Sequence, residues 1–447
     1  MKKWILVLVA LVIILVAFFI LKPKVSESYL AKGLVYTDSL EYNKAVDYYS
    51  KALKFNKKNT KAIQKRAEAY YQLENEQEAL IDFNSLLNLD PENYQGYFGR
   101  ALLFIKIEDF VKAHDDLSKV LEISKENPEA YYFLAYAKIN LKNYESALND
   151  LNSAIEIDAK YAEAYHQRGI VKANLGDFEG SAEDFNKSIE LNKNNLDAYQ
   201  RRVKYRIDKD DYEGAIADYN AIIEMDEGNQ DAYYQRGYFK LRIGDFEGAI
   251  ADFNKSLEIK KDDIKSYKKR GNAKAALQKY NEALLDFDSA LSLDKSDYES
   301  YYRKGLVYLN MSNPAKATTY FSSAIKYKTD FAEAYYMRGV SMAMQQFYPK
   351  SISDFNLAIK YNKDYSDAYL GRAVSLGVQK KHKEAIEDYN KYINVVKDNG
   401  SAYLNRGVSK ISLNDYEGGC ADFSKALELK TPQAQEMINM YCTNINK

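Results

Sequence analysis

Apolar residues recur at i, i+3, i+4 and i+7 along most of this chain, and the whole pattern repeats every 34 residues. Residues 230–263, QDAYYQRGYFKLRIGDFEGAIADFNKSLEIKKDD, show the unit: two apolar stripes of helical period separated by the breaker Gly244-Asp245. This predicts a helix, a turn and a second helix. Small residues mark where the two helices cross. One column of them starts at Gly33 and runs through Ala67, Ala101 and Ala135 to Gly407 at a constant step of 34. A second, on the other helix, runs from Ala45 through Ala79 and Ala113 to Gly419. Four residues after each member of the second column comes an aromatic or a Leu, as at Phe253, Phe287 and Phe321. Such pairing of small and large predicts two helices pressed together at a place where only a minimal side chain fits.

This pattern of aromatic, small, small, aromatic at a 34-residue period resembles the tetratricopeptide repeat, over residues 26–430. The chain departs from the family in two ways. The opening Trp is Tyr in eleven of the twelve units, with Ile63 in the other, and Pro near the repeat end is mostly missing, Pro91 and Pro128 being exceptions. The resemblance implies an all-α fold, a tetratricopeptide α-solenoid in which helical hairpins form a right-handed superhelix. It implies a concave groove that takes peptide segments of other proteins. It does not imply catalysis.

An uninterrupted array makes the 447 residues one quasi-linear body rather than several globular domains. Net charge is −1, and setting aside the four Lys of residues 1–24, where no acid occurs, the remainder carries −5. That excludes the basic stripe that nucleic-acid binding needs. Ahead of the repeats, Met1 to Leu21 reads MKKWILVLVALVIILVAFFIL, with 18 unbroken apolar residues from Trp4 to Leu21, long enough to span a bilayer at about 1.5 Å per residue. A cleaved signal peptide would have a shorter apolar region ending in small residues, and Phe18-Phe19-Ile20-Leu21 stands there instead. Residues 4–21 therefore read as a transmembrane anchor. Lys2, Lys3 and the terminal amine outnumber Lys22 and Lys24, which keeps the N-terminus cytoplasmic and the repeats on the far side, periplasmic or extracellular. Val25 to Glu27 would be a minimal link. At the other end, Thr431-Pro432-Gln433 restarts a helix with Pro in its first turn, and Ala434, Met437, Ile438 and Tyr441 give it an apolar face. Residues 431–447 thus read as a capping helix, which closes the last open face of a solenoid.

Arg precedes the first small column in most repeats, and Asp precedes the aromatic of the second helix, as in Arg236 with Asp252. Repeats one and nine lack both, carrying Lys32 with Tyr48 and Lys304 with Tyr320, while repeat four has Leu134 beside Asp150. A ladder of Arg could serve an anionic ligand. Joint presence and absence favours an ion pair between the helices of one hairpin, because a partly buried Arg is tolerated chiefly when paired. The three His, His114, His166 and His382, have no metal spacing, and nothing resembles an active site, a cofactor cradle or a small-molecule site. The Asn-Lys-Ser triplets at Asn186 and Asn254 fit a glycosylation pattern but sit inside helices. Cys420 and Cys442 would lie side by side if the cap docks. Outside the cytoplasm they could form a disulfide worth roughly 3 kcal/mol; otherwise they are two small buried residues.

The candidate binding stripe follows the Tyr column of the first helices: Phe98, Tyr132, His166, Tyr234, Lys268, Tyr302 and Tyr336, with Tyr136, Tyr238 and Asn272 four residues on and Arg303 beside Tyr302. These helices already bury one apolar face, so a second aromatic stripe asks for a partner, unless neighbouring first helices simply touch there. The resemblance puts the stripe along the groove, with Lys268 and Arg303 meeting acidic groups. Part of the family grips a C-terminal carboxylate with a Lys, Asn and Arg set. Here Glu333 and Met337 stand where that set needs cations, which argues against it. The resulting reading is a membrane-anchored, non-enzymatic scaffold or receptor for segments of partner proteins. Its variants are a cell-envelope assembly or export accessory and a cytosol-facing client or chaperone receptor, the second weakened by the missing clamp. An enzyme would need a stretch outside the repeats, and none interrupts residues 26–430.

Overall fold

The computed structural model describes Lys2 to Cys442, and within its first helix the side chains of residues 2, 3, 6 and 11–20 lie outside the description. Regular structure among the described residues is helical throughout, as twelve hairpins and a closing helix. Repeats are numbered from residue 26, and the two helices of each are called A and B. In repeat seven they are Gln230–Arg242 and Phe246–Ile259. Asn229 caps the A helix by accepting from the Ala232 N–H, and Asp245 caps the B helix by accepting from Gly248.

The chain divides into two units, Met1–Asp210 and Asp211–Lys447, with the boundary between the two helices of repeat six. Within each unit an A helix packs against its own B helix, the preceding B helix and the neighbouring A helices. Contact between successive A helices puts them on the inner side of each unit. The small columns explain the close fit. A Cβ on Gly305 would lie 2.5 Å from the ring of the fully buried Phe321. Phe355 is held on both sides, since a Cβ on Gly339 of its own repeat would approach it to 2.9 Å and one on Gly371 of the next to 2.6 Å.

Arg and Asp meet within most hairpins. Arg236 Nε and Nη2 donate to the two oxygens of Asp252 at 3.0 and 2.6 Å, and the same fork joins Arg66 to Asp82, Arg100 to Asp116 and Arg406 to Asp422. The remaining nitrogen reaches back one repeat: Arg236 Nη1 donates to Asn220 at 2.8 Å and Arg270 Nη1 to Asn254 at 2.7 Å. Arg202 Nη1 holds Asn186 in the same way at 2.7 Å, so both Asn of the glycosylation-like triplets serve as acceptors between repeats. Most of these guanidinium groups also lie over the Tyr that opens their helix, 5.5 Å from the Tyr233 ring for Arg236 and 5.2 Å from Tyr165 for Arg168, while Arg66, which has Ile63 there, lies over Tyr70.

The exceptional repeats keep the joint by other means. In repeat four, Lys138 lies 2.6 Å from Asp150, a charge contact without a well-directed hydrogen bond, and burial raises the pKa of that carboxyl despite the Lys. In repeats one and nine the Tyr in the Asp column stacks on a second Tyr, Tyr48 on Tyr36 and Tyr320 on Tyr308, each pair 5.1 Å between centroids. Lys304 sits 4.5 Å from the Tyr320 ring and pairs with Asp288 of the repeat before.

Three details differ from the sequence reading. The turn between helices takes a left-handed residue in every repeat, but that residue is glycine only at Gly176 and Gly244; elsewhere it is Leu40, Gln278, Lys380 and the like. Closing the A helix imposes this conformation whatever the side chain. No link separates residues 4–21 from the repeats, because the first helix runs from Lys2 to Asp38 with Pro23 inside it. Ser26 is already docked there, donating to the Ala52 carbonyl at 3.0 Å and accepting from Asn59 at 3.1 Å. The closing helix spans only Ala434–Tyr441, with Pro432 in the turn before it, and residues 443–447 of the expected cap lie outside the described residues. Among the described residues no helix is long and apolar enough to cross a membrane; the anchor expected over 4–21 falls largely on side chains outside them.

Asp252 is 3% exposed and shared by Arg236 and Lys240, so Asp252→Ala leaves two cations unpaired and costs about 3 kcal/mol. A double-mutant cycle of Asp252→Ala with Arg236→Ala, followed by chemical denaturation, should give a coupling above about 1 kcal/mol. Additive losses would contradict the pairing.

Candidate functional site

The expected stripe divides between the two units. In the first, Phe98 meets the ring of Phe133 edge-on at 5.8 Å, Tyr132 lies 5.2 Å from Tyr161, and Tyr136 lies 6.4 Å from Phe110. Burial raises the Tyr132 hydroxyl pKa, although Gln167 counters it. His166 does not act as a free contact. Its Nε2 is 2.7 Å from Asp197, the carboxylate that Arg201 also holds at 2.6 Å, and its ring packs on Phe185. Burial opposes the Asp197 charge, but Arg201 and His166 together hold its pKa below the usual range.

In the second unit, Tyr234, Tyr302 and Tyr336 each lean on the buried Phe of their own B helix, at 5.9, 5.6 and 5.8 Å, and Tyr302 and Tyr336 also touch the ring that ends their repeat, Phe331 or Tyr365. One face of each ring is therefore used for packing between helices, and the residues remain half-buried rather than free. Asn272 is half-buried one turn after Lys268.

Charge is distributed unevenly around repeats eight and nine. Lys268 is already engaged, 2.8 Å from Glu299 and 3.1 Å from Asp297. Burial works against its charge, yet these two carboxylates outweigh it and raise its pKa. Lys269, which the stripe omits, is the contrasting case. Its ammonium lies 4.9 Å from the Tyr238 ring, and among the described residues no carboxylate is within ion-pair distance. Burial pushes its pKa down, Glu299 pulls the other way, and Arg303 and Lys268 push it down further. Arg303 is held loosely, 3.7 Å from Glu299, with its enclosed Nε lacking a hydrogen-bond partner. Two under-compensated cations thus sit on adjacent A helices, Lys269 against the Tyr238 ring and Arg303 close enough to act on the Lys269 charge. Their column did carry a signal, a polar run of Gln167, Arg201, Gln235, Lys269 and Arg303 at the repeat step.

Chemically, this arrangement can receive an anionic oxygen and offer aromatic surface next to it. Among the described residues no group of three or more His, Cys, Asp or Glu is placed to hold a metal ion. At the far end, Cys420 of the last B helix is joined to Cys442 by a disulfide, with Cα atoms 5.7 Å apart.

Comparison with known proteins agrees with the architecture. A family model described as tetratricopeptide repeat matches residues 26–59, 60–93, 162–195, 298–331 and 400–432, and two others of that description match 105–168 and 201–264. Together they span more than half of the sequence, and the chain belongs to the tetratricopeptide repeat family. Similar solved structures include the APC/C hetero-tetramer Cut9-Hcn1, at 12% identity over 93% of this chain and 96% of that one, TM-score 0.43. A tetratricopeptide repeat protein from Parabacteroides merdae gives 20% identity over 55% and 98%, TM-score 0.42. YrrB, described as a TPR protein with an unusual peptide-binding site, gives 22% over 41% and 95%, TM-score 0.35. These similarities concern the fold alone. No curated protein matches the chain.

The two neighbouring lysines should respond oppositely to loss of charge. Lys268→Met removes the partner of Glu299 and Asp297 and lowers stability, by about 1–2 kcal/mol. Lys269→Met removes an uncompensated charge and raises the denaturation midpoint. The linkage signs agree: the Lys268 contribution is present at neutral pH and lost as pH rises through its raised folded pKa, whereas the Lys269 penalty is present at neutral pH and disappears at alkaline pH. Shifts of the same sign in the two variants would show that the charge distribution around Tyr238 is wrong.

Proposed function

We propose that this chain is a non-enzymatic, membrane-anchored scaffold or receptor that holds a segment of a partner protein along the A-helix face of its repeats. The observation that carries the reading is the pair Lys269 and Arg303 on adjacent A helices, the first of them against the Tyr238 ring. Elsewhere the Arg column is tied to carboxylates by forked hydrogen bonds, so cations left under-paired on one face favour a ligand that supplies the missing charge. The segment carries a carboxylate at these two cations and lies across the exposed parts of Tyr234, Tyr238, Tyr302 and Tyr336, where Tyr adds contact area at low entropic cost. Lys268 positions this site through Glu299 and is not itself the reader. In the first unit, Phe98, Tyr132, Tyr136 and His166 form a more neutral stretch on that unit's own A-helix face. Asn272 contributes a polar group one turn from Lys268.

The anchor rests on the 18 apolar residues from Trp4 to Leu21, and the continuous first helix would transmit its orientation directly to repeat one. The disulfide favours repeats outside the cytoplasm, where such bonds persist. A cell-envelope assembly or export accessory fits that setting better than a cytosol-facing receptor.

Lys269→Glu tests the binding reading, because the new carboxylate would face Arg303 and Lys268 without breaking any ion pair. The variant should melt no lower than the wild type while a partner that cross-links to the wild-type chain in its native cells falls at least tenfold. Equal recovery of that partner with both chains would refute the site. For the anchor, protease added to cells stripped of outer layers should digest the repeats and spare cytoplasmic markers. Recovery of an intact protected fragment covering residues 30–447 would overturn the orientation, and a soluble chain would overturn the anchor.

A further inference from the structure

The end of the array differs from its interior in a way that points to a redox-controlled closure. The closing helix occupies the place of a thirteenth A helix, but it stops after Tyr441. Tyr441 stands one step of 34 after Gly407, at a position that is small in the repeats, and its ring lies 6.4 Å from that of Phe423. The helix buries little of itself. Of its eight residues only Ala434 is buried, Met437 and Ile438 are half-buried, and Met440 is 58% exposed. An eight-residue helix is also too short to persist by itself in water.

What it docks on is weakened too. The last B helix begins Tyr416-Glu417-Gly418-Gly419-Cys420, so two adjacent glycines occupy its first turns, each costing about 1 kcal/mol of helix propensity against Ala. Among the described residues, the closing helix is what covers the outer side of this hairpin. The disulfide joins these two weak elements, running from the residue just after the glycines to the one just after the closing helix.

We infer that the Cys420–Cys442 bond is a latch whose reduction releases the closing helix and loosens repeat twelve, so that redox state sets how many repeats at this end remain ordered. The chemistry is thiol–disulfide exchange with a dithiol reductant: its thiolate attacks one sulfur, the S–S bond breaks, and a second attack releases the mixed disulfide. Two electrons and two protons pass to Cys420 and Cys442 as thiols, and the reductant leaves as a disulfide. Because a solenoid is held by nearest-neighbour contacts, loosening is confined to the end and leaves the inner repeats intact.

Amide hydrogen exchange on the full-length chain in detergent, with and without dithiothreitol, tests this. Reduction should raise exchange at least tenfold over residues 400–442 and leave repeats seven to ten unchanged. Cys442→Ser should show the faster exchange without reductant and become insensitive to it. Unchanged exchange over 400–442 on reduction would overturn the latch, and so would a rise that spreads through the whole second unit, which would make the bond a general stabiliser.

Discussion

One guanidinium contact organises this molecule. In most repeats the Arg before the small column forks onto an Asp of its own hairpin, reaches back with its third nitrogen to an Asn or Ser on the previous B helix, and lies over the Tyr that begins its helix. A single side chain therefore fixes the angle within a hairpin and the stacking of one hairpin on the next. Lys could not replace it, having one charge centre and no planar fork. Where Arg is absent, stacked tyrosines take over in repeats one and nine, which also lack the Asp, and a lone Lys meets the retained Asp150 in repeat four, so these hairpins keep the joint by other means.

The same contact explains why the A-helix face is the one left for other work. Arg, Asp and the buried ring are all spent on holding hairpins together, as is one face of most inner tyrosines. The under-compensated charge on this face, among the described residues, is local: Lys269 and Arg303 in repeats eight and nine, next to the rim of Tyr238 in repeat seven. A repeat architecture can carry such an imbalance because its effect on stability stays within neighbouring units.

Much of this is legible in sequence because each contact recurs at the repeat step. Small residue against ring and Arg against Asp both appear as columns, and their shared exceptions in repeats one and nine are visible without coordinates. The candidate site is less legible, since it depends on what breaks the columns. Position alone assigns Lys268 to the groove, but its partners Asp297, which ends its own repeat, and Glu299, on the next A helix, come 29 and 31 residues later; Glu299 belongs to an acidic column with Glu163, Asp197, Asp231 and Glu333, and only the fold shows that this column meets Lys268. Position alone also gives no reason to prefer Lys269, whose distinction is a missing partner. The turn is legible at Gly244 and hidden at Gln278, because the backbone conformation is the same and only the side chain differs. The stretch around Ser26 looks like a linker by composition; its hydrogen bonds to Ala52 and Asn59 make it part of the first hairpin. Proximity of Cys420 to Cys442 likewise follows from docking of the closing helix, which a list of residues cannot measure.

The central claim is that the A-helix face of repeats eight and nine is reserved for a partner segment while the outer face is not. Site-specific photo-crosslinking in the native cell tests it most directly, with a benzophenone amino acid placed at Asn272 on that face or at Leu285, 66% exposed on the B helix of the same repeat. The account predicts a discrete crosslinked species from position 272 and none from position 285. Crosslinking from 285 with none from 272 would contradict it.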